Sequence, residues 1–186
     1  VMAARGTREW VEQSGGKLAF LDRMTMIADG VCARAATQKR MKAGVKVRHR
    51  EVADILPPDS AIAREALAMS EGACAPFLHN HNLRAYFWAR LLDDGAKPFD
   101  DEATFVALML HDFGLTDAHR LHGDKEQCFT IVGARAVEAL AARHRWSDKR
   151  ANVAAQAITL HLNVAIADRH GREAQLVRAG SGADVA

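Results

Sequence analysis

The chain has 186 residues, of which 49% are hydrophobic and 26% are charged, and its net charge is +2. This length and composition are typical of a soluble globular protein built as one compact domain. No apolar run reaches the ~18 residues of a transmembrane helix, and the first residues lack the apolar core of a signal peptide. These features exclude a membrane-spanning protein, and we expect a cytoplasmic protein with no membrane partner.

The charge is unevenly distributed along the chain. Residues 1–50 contain 11 Lys or Arg against 4 Asp or Glu, and the remainder contains 14 against 19. The basic block at 39–50 is compatible with an anionic surface or a nucleic acid. Because no aromatic residues alternate with these charges, we interpret the block as a solvated face and expect no nucleic-acid partner.

The cysteines are few and scattered. Cys32, Cys74 and Cys128 form no CxxC pair. We therefore expect no disulfide framework and no cysteine metal site, and we interpret all three as small buried side chains.

Taken in chain order, the first predicted helix spans about 17–36, with Leu21, Met24 and Ile27 at helical spacing. A linker around Gly44 follows, so we divide the chain into a basic helical extension at 1–50 and a main domain at 51–186. Start and stop residues predict further helices in the main domain at about 61–71, 76–92, 101–111, 125–144, 147–161 and from 172 onward. No alternating strand pattern is present, so the predicted fold class is all-α. The long helices are nearly apolar, which indicates burial on more than one side.

A strongly apolar segment, FVALMLHDFGLT at 105–116, ends its predicted helix in adjacent His111 and Asp112. Burying these two side chains is costly unless they are paired or bound to a metal. An imidazole nitrogen with a carboxylate suits Zn, Fe or Mn. The alternative is that Asp112 simply caps the following loop.

A second histidine, His81, shares a predicted helix face with Phe77, Ala85, Trp88 and Leu92, which indicates a buried apolar stripe. Such a histidine is often a core residue, but a second histidine-bearing apolar helix in a small chain favours a metal ligand. His79 lies about 160° away around the helix, so we interpret it as a surface residue or as one that supports a ligand from behind. His161, at the end of the apolar run 154–162, and Asp184 are further candidates.

The order His … His-Asp … Asp resembles the HD superfamily of metal-dependent phosphohydrolases and related enzymes, with the closest likeness to its cyanamide-hydratase-like branch. The matching segments are PPDS at 57–60, NHNLRAYFWARLL at 80–92, ALMLHDFGLT at 107–116, CFTIVGARAVEAL at 128–140, AITLHLNVAIADR at 157–169 and VRAGSGADV at 177–185. The resemblance implies an HD-domain helical bundle with one divalent metal, most often Zn, although Fe or Mn also fits the ligand types. The implied metal ligands are His81, His111, Asp112 and Asp184.

The resemblance also implies roles in a reaction on a small-molecule substrate, such as a nitrile or cyanamide. Asp112 would both bind the metal and orient a water whose pKa the metal lowers. His161 would act as general acid or base, because the ordinary histidine pKa lies near neutral pH. Arg84, close to one turn after His81, would bind substrate; its alternative role is to pair with a buried carboxylate.

The chain departs from the family pattern at two adjacent positions. Phe129 stands where many dinuclear relatives have a histidine, which indicates a single metal, and Thr130 stands where the hydratase-like branch has a glutamate. A nucleotide phosphohydrolase using Arg84 and Lys125 is an alternative function, as is a non-catalytic interaction domain. An oxygenase with two irons is disfavoured by Phe129. A homo-oligomer stays an open alternative.

The ends of the sequence also carry an expectation. Asp184 lies two residues before the last residue, and the first residue is Val. We interpret the chain as a fragment with a truncated C-terminus.

Overall fold

The computed structural model describes residues 3–42, 51–120 and 128–185. Within these ranges the chain forms eight α-helices and no β-strand, which confirms the predicted all-α class. The helices are α1 (Arg8–Ser14), α2 (Phe20–Lys42), α3 (Ala61–Ala73), α4 (Pro76–Leu92), α5 (Asp101–Leu110), α6 (Phe129–Arg143), α7 (Asp148–Leu160) and α8 (Gly171–Asp184). None of the described helices combines the length and apolarity needed to cross a bilayer.

Helix α5 is the centre of the bundle. Its residues 103–110 are all buried, and α3, α4, α6, α7 and α8 surround it. A helix that is apolar on every side is stable only when it is covered on every side, so the prediction of burial is confirmed here. The Asp100 side chain caps the helix by accepting the Ala103 N–H, and Arg150 of α7 donates to the same carboxylate at 2.8 Å.

Helices α4 and α8 approach each other closely because of one glycine. A Cβ at Gly180 would lie 2.2 Å from the Ala85 carbonyl oxygen and 2.9 Å from the Ala89 Cβ. No side chain fits at position 180, so the backbone of α8 lies directly on α4. This contact brings the last turn of α8 beside His81.

The predicted burial of the apolar stripe on α4 is confirmed at Ala85 but wrong at the larger side chains. Phe77, Trp88 and Leu92 are 75%, 41% and 49% exposed. The other residues of the buried face are Asn82, Tyr86 and Ala89. Close helix packing selects small side chains, and that requirement outweighs hydrophobicity on this helix.

The N-terminal region contains one helix that periodicity did not reveal. Thr7 caps α1, and Trp10 and Val11 are buried against Ile131 of α6. Helix α2 confirms the helix predicted at 17–36, although its apolar side chains are largely exposed, as at Ile27. The linker predicted around Gly44 lies outside the described residues, and the domain boundary at residue 50 stays a prediction.

The cysteines are free, as expected. Cys74 is buried and Cys128 is partly buried, but Cys32 is exposed on α2, so its predicted burial is wrong.

Candidate metal centre

His111 and Asp112 follow the last residue of α5, where the chain turns sharply. The His111 Nδ1 donates to the Leu108 carbonyl at 2.8 Å, and the ring is completely buried. The turn at Phe113–Leu115 then packs against the start of α6. A Cβ at Gly114 would lie 2.4 Å from the Phe129 carbonyl oxygen, so only glycine allows this approach.

Three predicted ligands meet in a triangle. The Nε2 atoms of His81 and His111 lie 3.2 Å apart. The Asp112 Oδ2 lies 3.6 Å from the His81 Nε2 and 3.4 Å from the His111 Nε2. These ligand atoms all lie within 4.8 Å of one another, so the three residues form a group that can hold a metal ion.

The tautomers of the two histidines support this assignment. The His111 Nδ1 faces a carbonyl oxygen, and the His81 Nδ1 faces the Asp184 Oδ2 at 2.8 Å, so each Nδ1 carries a proton. With both rings in this tautomer, the two Nε2 atoms are hydrogen-bond acceptors that lie 3.2 Å apart beside the Asp112 carboxylate. Such acceptors repel one another unless a cation lies between them. Two imidazole nitrogens and a carboxylate oxygen fit a first-row divalent ion.

The pKa shifts at the centre have the same physical origin. Burial lowers the pKa of His111 to about 4, so the ring is neutral at pH 7, as a metal ligand must be. Burial raises the pKa of Asp112, and the neighbouring His161 and His81 oppose that shift. A bound cation would compensate the buried carboxylate charge.

His161 ends α7 and borders the triangle. Its Nδ1 donates to the Ile158 carbonyl at 2.6 Å, and its Nε2 lies 3.9 Å from the Asp112 Oδ1. Burial, assisted by His111, lowers the pKa of His161 to about 4. This pKa lies below the ordinary histidine value, because burial disfavours the charged ring. At pH 7 it can accept a proton at Nε2 but has none to donate from that atom.

The fourth predicted ligand, Asp184, lies on the far side of the His81 ring. It bonds the His81 Nδ1, and Arg84 donates to it from Nε at 2.6 Å and from Nη2 at 2.9 Å. Arg84 thus has the alternative role considered above, a partner for a carboxylate, and it lowers the pKa of Asp184. The series Arg84–Asp184–His81 orients the imidazole from behind. Direct ligation by Asp184 and substrate binding by Arg84 stay predictions that this arrangement does not favour.

Replacing Asp184 by asparagine is expected to weaken metal binding, tested here with zinc, by about 10- to 100-fold without abolishing it. The amide oxygen still accepts from the His81 Nδ1, but it has lost the negative charge. Zinc affinity measured by competition with a chelator tests this, with the exposed Asp117→Asn as the control. Complete loss of zinc in Asp184→Asn would instead establish Asp184 as a direct ligand.

The triangle opens into a cavity of about 440 Å³, which is large enough for a small organic ligand. Phe129 lies beside His161, with ring centroids 5.9 Å apart, and its hydrocarbon ring offers no metal-ligating atom. Arg178 of α8 also lines this cavity, although the sequence analysis did not single it out. Its spacing of three and seven residues from Ser181 and Val185 indicates a shared helix face. Only the tertiary structure shows what that face borders.

No protein family matches the chain, and no curated protein matches it at a significant level. Membership of the HD superfamily therefore stays a prediction from the motifs. The all-α fold and the His–His–Asp triangle stand independently of that prediction.

Proposed function

We propose that this protein is a metal-dependent hydrolase or hydratase of the HD superfamily that adds water to a small molecule. The observation that supports the proposal is the convergence of His81, His111 and Asp112, through ligand atoms within 4.8 Å of one another. Their position at the base of a 440 Å³ cavity gives a substrate access to the centre.

His81, His111 and Asp112 would hold one divalent ion. We propose Zn, and Fe or Mn also fits these ligand types. Such an ion supplies positive charge that lowers the pKa of a water molecule from 15.7 toward about 7. The Asp112 Oδ2 faces the two histidines, whereas its Oδ1 faces His161. Asp112 therefore connects the ligand triangle to the proposed base.

His161 would accept the proton of the attacking water at Nε2. The hydrogen bond from its Nδ1 to the Ile158 carbonyl fixes the required tautomer. Asp112, 3.9 Å away, would stabilise the imidazolium once it forms. His161 would then return the proton to the substrate nitrogen, which gives an imidic acid from a nitrile or isourea from cyanamide. Transfer of the remaining hydroxyl proton from oxygen to nitrogen yields the amide or urea, with only water consumed.

The alternative of a nucleotide phosphohydrolase needs cations for the phosphates. Arg84 is already held by Asp184 through two hydrogen bonds, and Lys125 lies outside the described residues. Neither observation supports that alternative over a small-molecule hydratase.

The proposal is tested by assaying zinc-loaded and chelator-stripped protein with cyanamide, acetonitrile, benzonitrile and nucleoside monophosphates. We expect turnover of a nitrile-type compound that chelation abolishes and added zinc restores. Zinc-dependent release of phosphate without turnover of any nitrile-type compound would show that the protein is a phosphohydrolase and not a hydratase. Turnover that survives chelation would contradict a metal-dependent reaction.

The protein is expected to bind about one equivalent of a first-row divalent metal per chain. The physical reason is Phe129, whose hydrocarbon ring cannot ligate a second ion beside His161. Elemental analysis after reconstitution with excess Zn, Fe or Mn and removal of free metal checks the number. Two tightly held equivalents would contradict a mononuclear centre.

A further inference from the structure

Arg178 places a positive charge at the wall of the 440 Å³ cavity beside the ligand triangle, which we call the metal-facing cavity. Its Nε donates to the Asn163 carbonyl at 3.3 Å. Among the described residues, the Arg178 guanidinium forms no ion pair. By contrast, Asp184 engages the Arg84 guanidinium with both carboxylate oxygens. The outer nitrogens of Arg178 are thus available to a ligand.

The two acidic residues that line a second cavity beside Arg178 pair with other cations. Arg178 also borders a second cavity, of about 510 Å³, which contains Asp94 and Asp168. Asp94 accepts from Arg172 at 2.7 Å, and Asp168 pairs with Lys97 at 3.0 Å. Both carboxylates therefore have their own cations.

The rest of the metal-facing cavity is mainly apolar. The nonpolar side chains that line it are Leu115, Phe129, Leu162, Val164 and Val185. Among the described residues that line it, the one carboxylate is Asp112, which belongs to the ligand triangle. A complementary molecule has a hydrocarbon body and a single anionic group. One guanidinium can bind one carboxylate through two parallel hydrogen bonds. A polyphosphate would need a second cation or a glycine-rich loop, and the described lining contains neither.

We propose that Arg178 binds the carboxylate of an apolar organic acid whose reacting group lies at the metal centre. This inference rests on the proposed function, because it assumes that the cavity holds the substrate. It narrows the substrate class to monocarboxylates with a short hydrocarbon chain or ring, such as carboxylated nitriles. Arg178 would then set specificity and take no part in proton transfer.

The probes are hexanoate, 1-hexanol and hexyl phosphate, and their binding to the zinc-loaded protein is measured by calorimetry. The variant is Arg178→Met, which keeps the aliphatic length and removes the charge. Its matched control is Arg135→Met, at an exposed arginine of α6. We expect Arg178→Met to weaken hexanoate binding by about tenfold or more, since a hydrogen bond between charged groups contributes at least that much. Hexanol binding should not change, and Arg135→Met should match the wild type.

Absence of hexanoate binding, or binding that Arg178→Met leaves unchanged, would overturn the inference. Hexanol binding as tightly as hexanoate would do the same. If hexyl phosphate binds more tightly than hexanoate and this binding depends on Arg178, the site binds a phosphate monoester and the proposal of a carboxylate ligand is wrong.

Zinc content is measured on every sample, which separates this inference from the proposed function. Arg178-dependent hexanoate binding by protein that retains no zinc would support the anion site and contradict the metal centre. Normal zinc content without Arg178-dependent binding would contradict the anion site alone.

Discussion

Protein carrying His111→Ala is expected to retain less than about a tenth of an equivalent of metal. His111 contributes one of three converging ligand atoms, and its removal leaves two donors, too few for a stable site of this type. Because the ring is completely buried, the variant also leaves a hole in the core. A second variant, the nearly isosteric Asp112→Asn, is therefore measured alongside His111→Ala. Asp112→Asn should also lose metal because the charged ligand is gone.

The control for this experiment is His79→Ala, two residues before His81 on α4. The His79 ring bonds the Ser70 hydroxyl at 3.1 Å, outside the ligand triangle. Metal content should therefore stay near one equivalent. Elemental analysis together with circular dichroism separates metal loss from unfolding. Equal metal loss from His79→Ala would mean that the wrong histidine of α4 has been assigned.

Protein carrying His161→Gln is expected to keep its metal while turnover falls by about 10²–10⁴-fold, the usual contribution of general acid–base catalysis. Glutamine fills much of the same space and remains polar, but it cannot take up a proton. Phe129, which offers no ligand atom, lies beside His161, and the His161 Nε2 lies 3.9 Å from the Asp112 Oδ1. The rate of the metal-dependent reaction, for example urea formation from cyanamide, and the metal content are measured on one preparation.

His144→Gln serves as the matched control for His161→Gln. His144 bonds Glu65 at 2.6 Å between α6 and α3, so its replacement should leave the rate unchanged. Full activity of His161→Gln would identify His161 as a packing residue. Loss of metal in that variant would identify it as a ligand.

The helices, their N-terminal caps and the buried His–Asp pair could be predicted from the sequence because they depend on residues close together in the chain. The apolar run before His111 contains no polar face, so α5 can only be stable at the centre of the bundle. Ser60 and Asp100 each accept a backbone N–H at the start of a helix, the position that Ser and Asp side chains prefer. The His111–Asp112 pair was identifiable because two polar groups at the end of a buried helix require compensation.

The arrangement of the centre was decided only by tertiary structure, because residues far apart in sequence must meet. The close packing at Gly180 brings Asp184 to the Nδ1 of His81, about a hundred residues away, and Arg84 then pairs with that carboxylate. On α4 this packing buries Ala85 and Ala89, whereas the larger apolar side chains Phe77, Trp88 and Leu92 are exposed. Only the tertiary structure shows that Arg178 lines the cavity beside the ligand triangle and that none of the described residues forms an ion pair with it. Periodicity predicts which face of a helix a residue occupies, but the approach of other helices decides what that face contacts.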